Sequence, residues 1–266
     1  MRNDGTVPRR HPEQGGYACG EMTRARIIAA AIRSFGDEGY DQASTRKIAA
    51  SAGVNPPALQ YYFDSKEGLH RACAQHIIDR VLGILAPALE RAAAAVRARN
   101  PAQAVDALCE LLQAMADGLV AAGSESWCRF IARGKADGAG PAVPMINERI
   151  GAPLVDAAAR LVGLATGRPA GAEATRLRAC TLLAQLSSLH TNRENTLAVM
   201  GWSQLGPREL ALIKAVTCAH ARAALQADVE GAAGSVLRAG ARRSHPSKDR
   251  PRRAKDRLAG ASLRSR

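Results

Sequence analysis

The 266-residue sequence predicts an all-α fold, with a small three-helix unit near the N-terminus followed by a larger helical bundle. Three observations predict it. Apolar residues make up 47% of the chain, and they lean on Ala and Leu rather than on β-branched and aromatic types, which favours helices. Apolar positions recur at the one-face spacing of a helix along most of the chain. No stretch alternates polar and apolar residues for long enough to read as a half-buried strand.

Residues 1–21 are rich in Gly, Pro and charge and read as a flexible leader, and Met22 could serve as the start. From Thr23 the pattern turns helical, with Ile28, Ala31, Ile32 and Phe35 on one face and Gly39 as the stop. A short second helix opens at Ser44-Thr45, turns Ile48, Ala49 and Ala52 inward, and breaks at Gly53. Asn55 followed by Pro56 starts a third, because Asn caps free amides and Pro fits the first turn without losing a bond. It runs to about Phe63. Asp64 or Ser65 caps a fourth helix carrying Leu69, Cys73, Ile77, Val81 and Ile84, which Pro87 and the Asn100-Pro101 pair then punctuate. Further helices are predicted at about 101–121, 125–133, 144–166, 172–199 and 207–226, with a Gly-rich loop over 134–144. The units expected are a leader (1–21), a helix-turn-helix domain (22–82), a C-terminal bundle (83–230) and a basic tail (231–266).

Composition excludes several function classes. No apolar run approaches the roughly 20 residues that cross a bilayer, and no cleavable signal opens the chain, so a soluble, cytoplasmic protein without a membrane partner is expected. Six scattered cysteines, with no Cys-x-x-Cys pair, read as reduced small hydrophobes rather than a disulfide frame or zinc site. Six dispersed histidines add no metal pattern, and neither metal nor cofactor is expected. The net charge of +13 suggests a polyanionic partner, but eleven Lys or Arg against Asp249 and Asp256 put nine of those charges between Gly234 and Arg266. That stretch reads as disordered, and either adds sequence-independent phosphate attraction or is merely solvated.

The functional signal lies on the third helix. Leu59 and Phe63, four apart, should pack inward with Val54 and Ile48, leaving Gln60, Tyr61 and, at the edge, Tyr62 outside. Three short helices with a tight Gly turn between the second and third match the geometry that seats a recognition helix in the DNA major groove. Pro56, Pro57 and Ala58 are small enough for close approach, Gln can pair with adenine, and phenolic hydroxyls can reach phosphates. Three of the chain's nine aromatics are consecutive here, more than a miniature core requires, although covering a core edge is the blander role for Tyr61 and Tyr62. Arg46 at the start of the second helix is a candidate for guanine or phosphate, or else a solvated surface Arg. Lys66 with the first amides of the fourth helix makes a candidate phosphate clamp. The candidate DNA-binding set is thus Thr45, Arg46, Asn55, Pro56, Pro57, Ala58, Gln60, Tyr61, Tyr62 and Lys66.

The segment Thr45–Leu69, T-R-K-I-A-A-S-A-G-V-N-P-P-A-L-Q-Y-Y-F-D-S-K-E-G-L, resembles the DNA-binding signature of the TetR family of repressors. The resemblance spans Thr23 to Leu82 and implies that Thr45, Arg46, Pro56, Pro57, Gln60, Tyr61, Tyr62 and Lys66 occupy positions that contact bases or phosphates. The family's usual Tyr at position 60 is Gln here, which bears on base preference. More weakly, Trp127–Arg133, the helix from Met145 to Ala165, Gly167-Arg-Pro169, Leu177–Leu189 and Met200-Gly-Trp202 resemble the ligand-binding and dimerisation domain of the CecR subgroup. Where most members carry an acidic residue and a proline-rich turn, this chain has Gly134–Gly140.

A homodimer on a pseudo-palindromic double-stranded DNA operator follows, since a monomeric three-helix reader makes few contacts. The interface is expected on Leu182, Leu183, Leu186 and Leu189 together with Ala211, Ala215, Cys218 and Ala219. An unknown small-molecule effector is expected between helices four and eight, with Trp127, Phe130, Met145, Leu161 and Leu186 as candidate pocket liners. Two rival classes are weighed. Ser44-Thr-Arg-Lys47 matches the Ser-x-x-Lys pattern of a serine acyl-enzyme, but the sheet and further motifs of that class are missing, so a non-enzyme is expected. An architectural protein coating DNA through its basic tail is the other.

Overall fold

The computed structural model describes residues 15–138 and 140–243. Among them the order is α1 (Gly15–Glu38), α2 (Thr45–Ser51), α3 (Pro56–Phe63), α4 (Lys66–Ala98), α5 (Pro101–Gly118), α6 (Ser124–Asp137), α7 (Ala142–Ile146), a π-helical turn (Asn147–Gly151), α8 (Ala152–Thr166), α9 (Glu173–Thr191), α10 (Arg193–Met200) and α11 (Pro207–Arg243), with no strand. Side-chain caps start several of these helices. Asn55 Oδ1 accepts from the Ala58 amide at 2.9 Å, Ser65 Oγ from Gly68 at 2.9 Å, and Asn100 Oδ1 from Ala102 and Gln103 at 3.0 and 3.3 Å. Ser44 occupies the cap position of α2 in extended backbone, but its side chain makes no capping bond.

The helices enclose two apolar cores joined by α4. The first gathers Ile28, Ile32 and Phe35 of α1, Ile48 of α2, Leu59 and Phe63 of α3, and Leu69, Cys73 and Ile77 of α4, and it continues into Trp127 and Phe130 of α6 and Ile146 of α7. The second is built from Leu85, Ala88 and Ala92 of α4 with Leu108, Leu111 and Leu112 of α5, Leu161 and Val162 of α8, Leu182, Leu183 and Leu186 of α9, and Ile213 and Leu225 of α11. At 33 residues α4 is about 50 Å long, so one helix spans both cores. The N-terminal head is therefore tied to the rest twice, along α4 and through α6. At the second tie Gly36 lets α1 approach α6 closely, since a Cβ there would stand 3.1 Å from the Phe130 amide.

Several element boundaries differ from the expectation, each for a physical reason. Helix α1 starts at Gly15 rather than Thr23, because Ala18, Glu21 and Met22 are good helix formers that carry it upstream, while residues 1–14 of the expected leader lie outside the described residues. Pro87 does not punctuate α4; the helix passes through it, the residue one turn earlier being Gly83 and the neighbouring Leu85 and Ala88 being buried in the second core. The expected 134–144 loop shrinks to a short turn, because α6 continues to Asp137 and Gly134 admits the Val143 side chain, where a Cβ would stand 2.9 Å from Cγ2. The helix expected over 144–166 contains the π-helical turn, and that over 172–199 divides at Asn192 into α9 and α10. Helix α11 continues to Arg243, into the expected tail, since 227–243 is rich in Ala; residues 244–266 lie outside the described residues.

Candidate nucleic-acid interface and interior cavity

The α2–α3 turn is built for a fixed crossing of two short helices. Gly53 takes φ +66°, and the Gly53 and Val54 amides close on the Ala50 and Ala49 carbonyls, both at 3.0 Å. Leu59 and Phe63 are buried below, and Pro56, Pro57, Gln60 and Tyr61 are exposed above, with Ala58 and Tyr62 half-buried. Tyr61 is 82% exposed, an extreme for an aromatic that touches little besides the edge of Tyr62, 5.4 Å between centroids. Tyr62 leans back so that its hydroxyl lies against Gly20 of α1. Arg46 is exposed on α2 and Thr45 half-buried beside it. Among the described residues Arg46 has no ion-pair partner, whereas its neighbour Lys47 reaches Glu38 at 3.3 Å.

Three of the candidate residues have duties inside the head. Gln60 Nε2 donates to the Asp64 carbonyl at the end of α3. Lys66 Nζ donates to the Asp41 carbonyl at 2.9 Å and sits 5.1 Å above the Tyr40 ring, fastening the α1–α2 loop to the start of α4. Asn55 is the cap of α3. The sequence reading did not include Arg24, which stands 5.4 Å over the Phe63 ring and brings a cation from α1 to the end of α3. Only its placement beside an aromatic reveals it, because its sequence neighbourhood resembles any charged helix face.

Behind the head, His70 is buried among Phe35, Tyr40 and Phe130, with ring centroids 4.7, 4.7 and 4.9 Å away, and its Nδ1 has no hydrogen-bond partner. Burial, with Lys66 nearby, pulls its pKa down to about 4, so the ring is neutral at pH 7. This aromatic cluster is where α1, α4 and α6 meet. The Arg129–Asp37 ion pair at 3.2 Å adds a polar tie between α6 and α1 on the surface.

A cavity of about 220 Å³ lies on the opposite side of α6, walled by Val81 and Leu85 of α4, Met115 of α5, Trp127 and Ile131 of α6, Ile150 of the π-helical turn and Leu154 of α8, with Lys135, Asn147, Ser187 and Thr191 as polar members. Of the five expected liners it includes Trp127. Phe130 is buried against Phe35 and His70, Met145 lies near Arg71, and Leu161 and Leu186 are in the second core. Their helical spacing was that of core, not of a cavity wall.

A family model for bacterial regulatory proteins of the tetR family matches residues 27–73, and one for the C-terminal domain of the HTH-type transcriptional dual regulator CecR matches residues 104–227. The HTH-type transcriptional dual regulator CecR of Shigella flexneri is 31% identical over 202 residues, covering 75% of this chain and 90% of that protein. The chain belongs to the TetR family of transcriptional regulators. Solved TetR-like structures share its fold. A regulator from Rhodococcus sp. RHA1 superposes with a TM-score of 0.56 at 20% identity, over 77% of this chain and 96% of that one. AibR in complex with isovaleryl coenzyme A and operator DNA superposes with a TM-score of 0.52 at 19% identity, over 74% and 96%. The tetR-family match takes in α2 and α3, and no helix among the described residues is long and apolar enough to cross a membrane.

Proposed function

We propose that this TetR-family regulator is a cytoplasmic, ligand-responsive repressor that binds a pseudo-palindromic operator as a homodimer. One observation carries the ligand response. Helix α6 has two working faces, Trp127 and Ile131 toward the cavity and Arg129 and Phe130 toward α1 of the head. A molecule that enters the cavity and favours one position of α6 shifts the head with it, provided it binds the DNA-free arrangement more tightly. The apolar walls suit an apolar or amphiphilic small molecule, and the isovaleryl coenzyme A complex of AibR offers one class to try.

In the reading mode proposed here, Gln60 and Tyr61 face base edges, with Pro56, Pro57 and Ala58 allowing close approach; Thr45, Arg46, Tyr62, Lys66 and Arg24 face phosphates, and Asn55 holds the helix in place. The dimer surface is the exposed apolar stripe Ala211, Leu212, Ala215, Val216, Ala219 and Ala223 of α11 beside Leu177, Thr181 and Ala184 of α9. It keeps Ala211, Ala215 and Ala219 of the expected surface and leaves out Leu182, Leu183 and Leu186, which are buried inside the chain's own core, and Cys218, which turns toward α5.

The test uses fluorescence anisotropy on an operator fragment that the purified protein has itself selected from genomic DNA. Acyl-coenzyme A thioesters of increasing chain length, isovaleryl coenzyme A included, are titrated into the complex. Release by one of them, lost in an Ala114→Phe variant that fills the cavity but still binds DNA, is the expected result. If that variant releases DNA as readily as the wild type, the cavity is not the effector site.

A further inference from the structure

Five cysteines have described side chains, and two of them meet although they lie 109 positions apart in sequence. Cys109 on α5 directs its Sγ at the Cys218 carbonyl, 3.9 Å away, and Cys218 on α11 directs its Sγ at the Cys109 carbonyl, 3.6 Å away. Each thiol therefore lies against the other residue, and the two side chains interact directly, an approach from which a disulfide can close. We propose that Cys109 and Cys218 form an oxidative modification site, a dithiol that closes to a disulfide when a hydroperoxide reaches Cys218.

The surroundings divide the labour between the two thiols. Cys109 is buried, and burial beside Cys218 pushes its thiol up to about 11. It suits the second, resolving step. Cys218 is half-buried and open to a small oxidant, and Gln113 Nε2 donates to its sulfur at 3.4 Å, holding the side chain in place. One turn further, Arg222 is fixed to Asp106 of α5 at 2.7 Å, which places a cation beside the pair. The other cysteines with described side chains sit elsewhere: Cys73 turns its Sγ toward the Ile28 carbonyl, Cys128 lines the cavity, and Cys180 is exposed on α9.

The chemistry balances with hydrogen peroxide as the oxidant. The Cys218 sulfur attacks one peroxide oxygen, the O–O bond breaks, and the sulfur becomes a sulfenic acid while water leaves. The Cys109 sulfur then attacks the sulfenic sulfur; the S–S bond forms, the S–O bond breaks, and the departing hydroxide takes the Cys109 proton as a second water. Two thiols lose two electrons and two protons, and the peroxide is reduced to two waters. The product ties α5 to α11 and closes a long loop, so the oxidised chain should melt at a higher temperature than the reduced one.

The test uses the purified full-length protein, reduced, desalted and treated with a small excess of hydrogen peroxide. Non-reducing intact mass is expected to fall by two hydrogens per chain, and peptide mapping to show one thiol-reversible link between the Cys109 and Cys218 peptides. Cys109→Ser should lose the link and leave Cys218 trappable by dimedone, and Cys218→Ser should lose both. Oxygen added to the unaltered chain without that link, or a link joining Cys180 of two chains instead, overturns the proposal. The unaltered chain decides the matter, so a variant that folds poorly does not obscure it.

Discussion

Tyr61 and Arg46 project from the head without supporting it, and that separates binding from stability in a measurable way. Replacing either by Ala should change folding stability by no more than about 0.5 kcal/mol, because exposed side chains away from caps and cores carry little. Each should lower operator affinity about tenfold or more, the loss of one good base or phosphate contact. Urea melts and anisotropy titrations of the same preparations check both halves. His70 works in the opposite sense. Its folded pKa of about 4 lies below the usual 6.5, so the unfolded chain binds the extra proton; the stability that the neutral ring contributes is complete above about pH 6.5 and declines as pH falls toward 4. The span corresponds to at most about 3 kcal/mol, and His70→Leu should flatten the slope of unfolding free energy measured between pH 7 and 4.5. Residue roles were legible where they are local. Asn55 capping Ala58 follows from the Asn-Pro pair alone, whereas Lys66 gripping Asp41, 25 positions away, depends on a loop crossing that no sequence window contains.

At the scale of elements, the short turn between α3 and α4 is the tightest point of the head. Gly68 lies so close under Phe63 that an added Cβ would stand 2.2 Å from its carbonyl oxygen, a backbone atom with nowhere to move. Gly68→Ala should therefore destabilise the protein by about 2 kcal/mol or more and weaken DNA binding by displacing α3, a result that a denaturation midpoint and an operator titration read together. Helices α3 and α5 were legible because caps, prolines and one-face periodicity agree there, and α2 through its inward Ile48 and Ala49 and the break at Gly53. Continuity through Pro87, the π-helical turn and the division at Asn192 were not, since neighbouring helices rather than local preference settle them. The same reason explains the cavity. Trp127, Phe130 and Ile131 share one helix, but which of them faces α1 and which faces open space depends on where α1 and α8 dock.

For the molecule as a whole, the proposed stripe on α9 and α11 makes operator binding a property of two chains. Val216→Glu combined with Ala219→Glu places charge at its centre, and should yield a monomer by light scattering that has lost most operator affinity while keeping its helical spectrum. The all-α plan, a small three-helix unit followed by a larger bundle, was legible in outline; the partition of α9 between inward leucines and outward small residues was not, because both faces are apolar enough to pass for an interface. The basic segment beyond Gly234 offers a rival source of DNA affinity, and one comparison separates it from α3. Fragments selected from genomic DNA by the purified protein are assayed, beside random DNA, against the wild type, Arg46→Ala with Tyr61→Ala, and a chain ending at residue 233. The selected fragments should share an inverted repeat, the double variant should lose preference for it, and the shortened chain should keep the preference with weaker binding to all DNA. A shortened chain that loses the preference while the double variant retains it would contradict the assignment of DNA reading to α3.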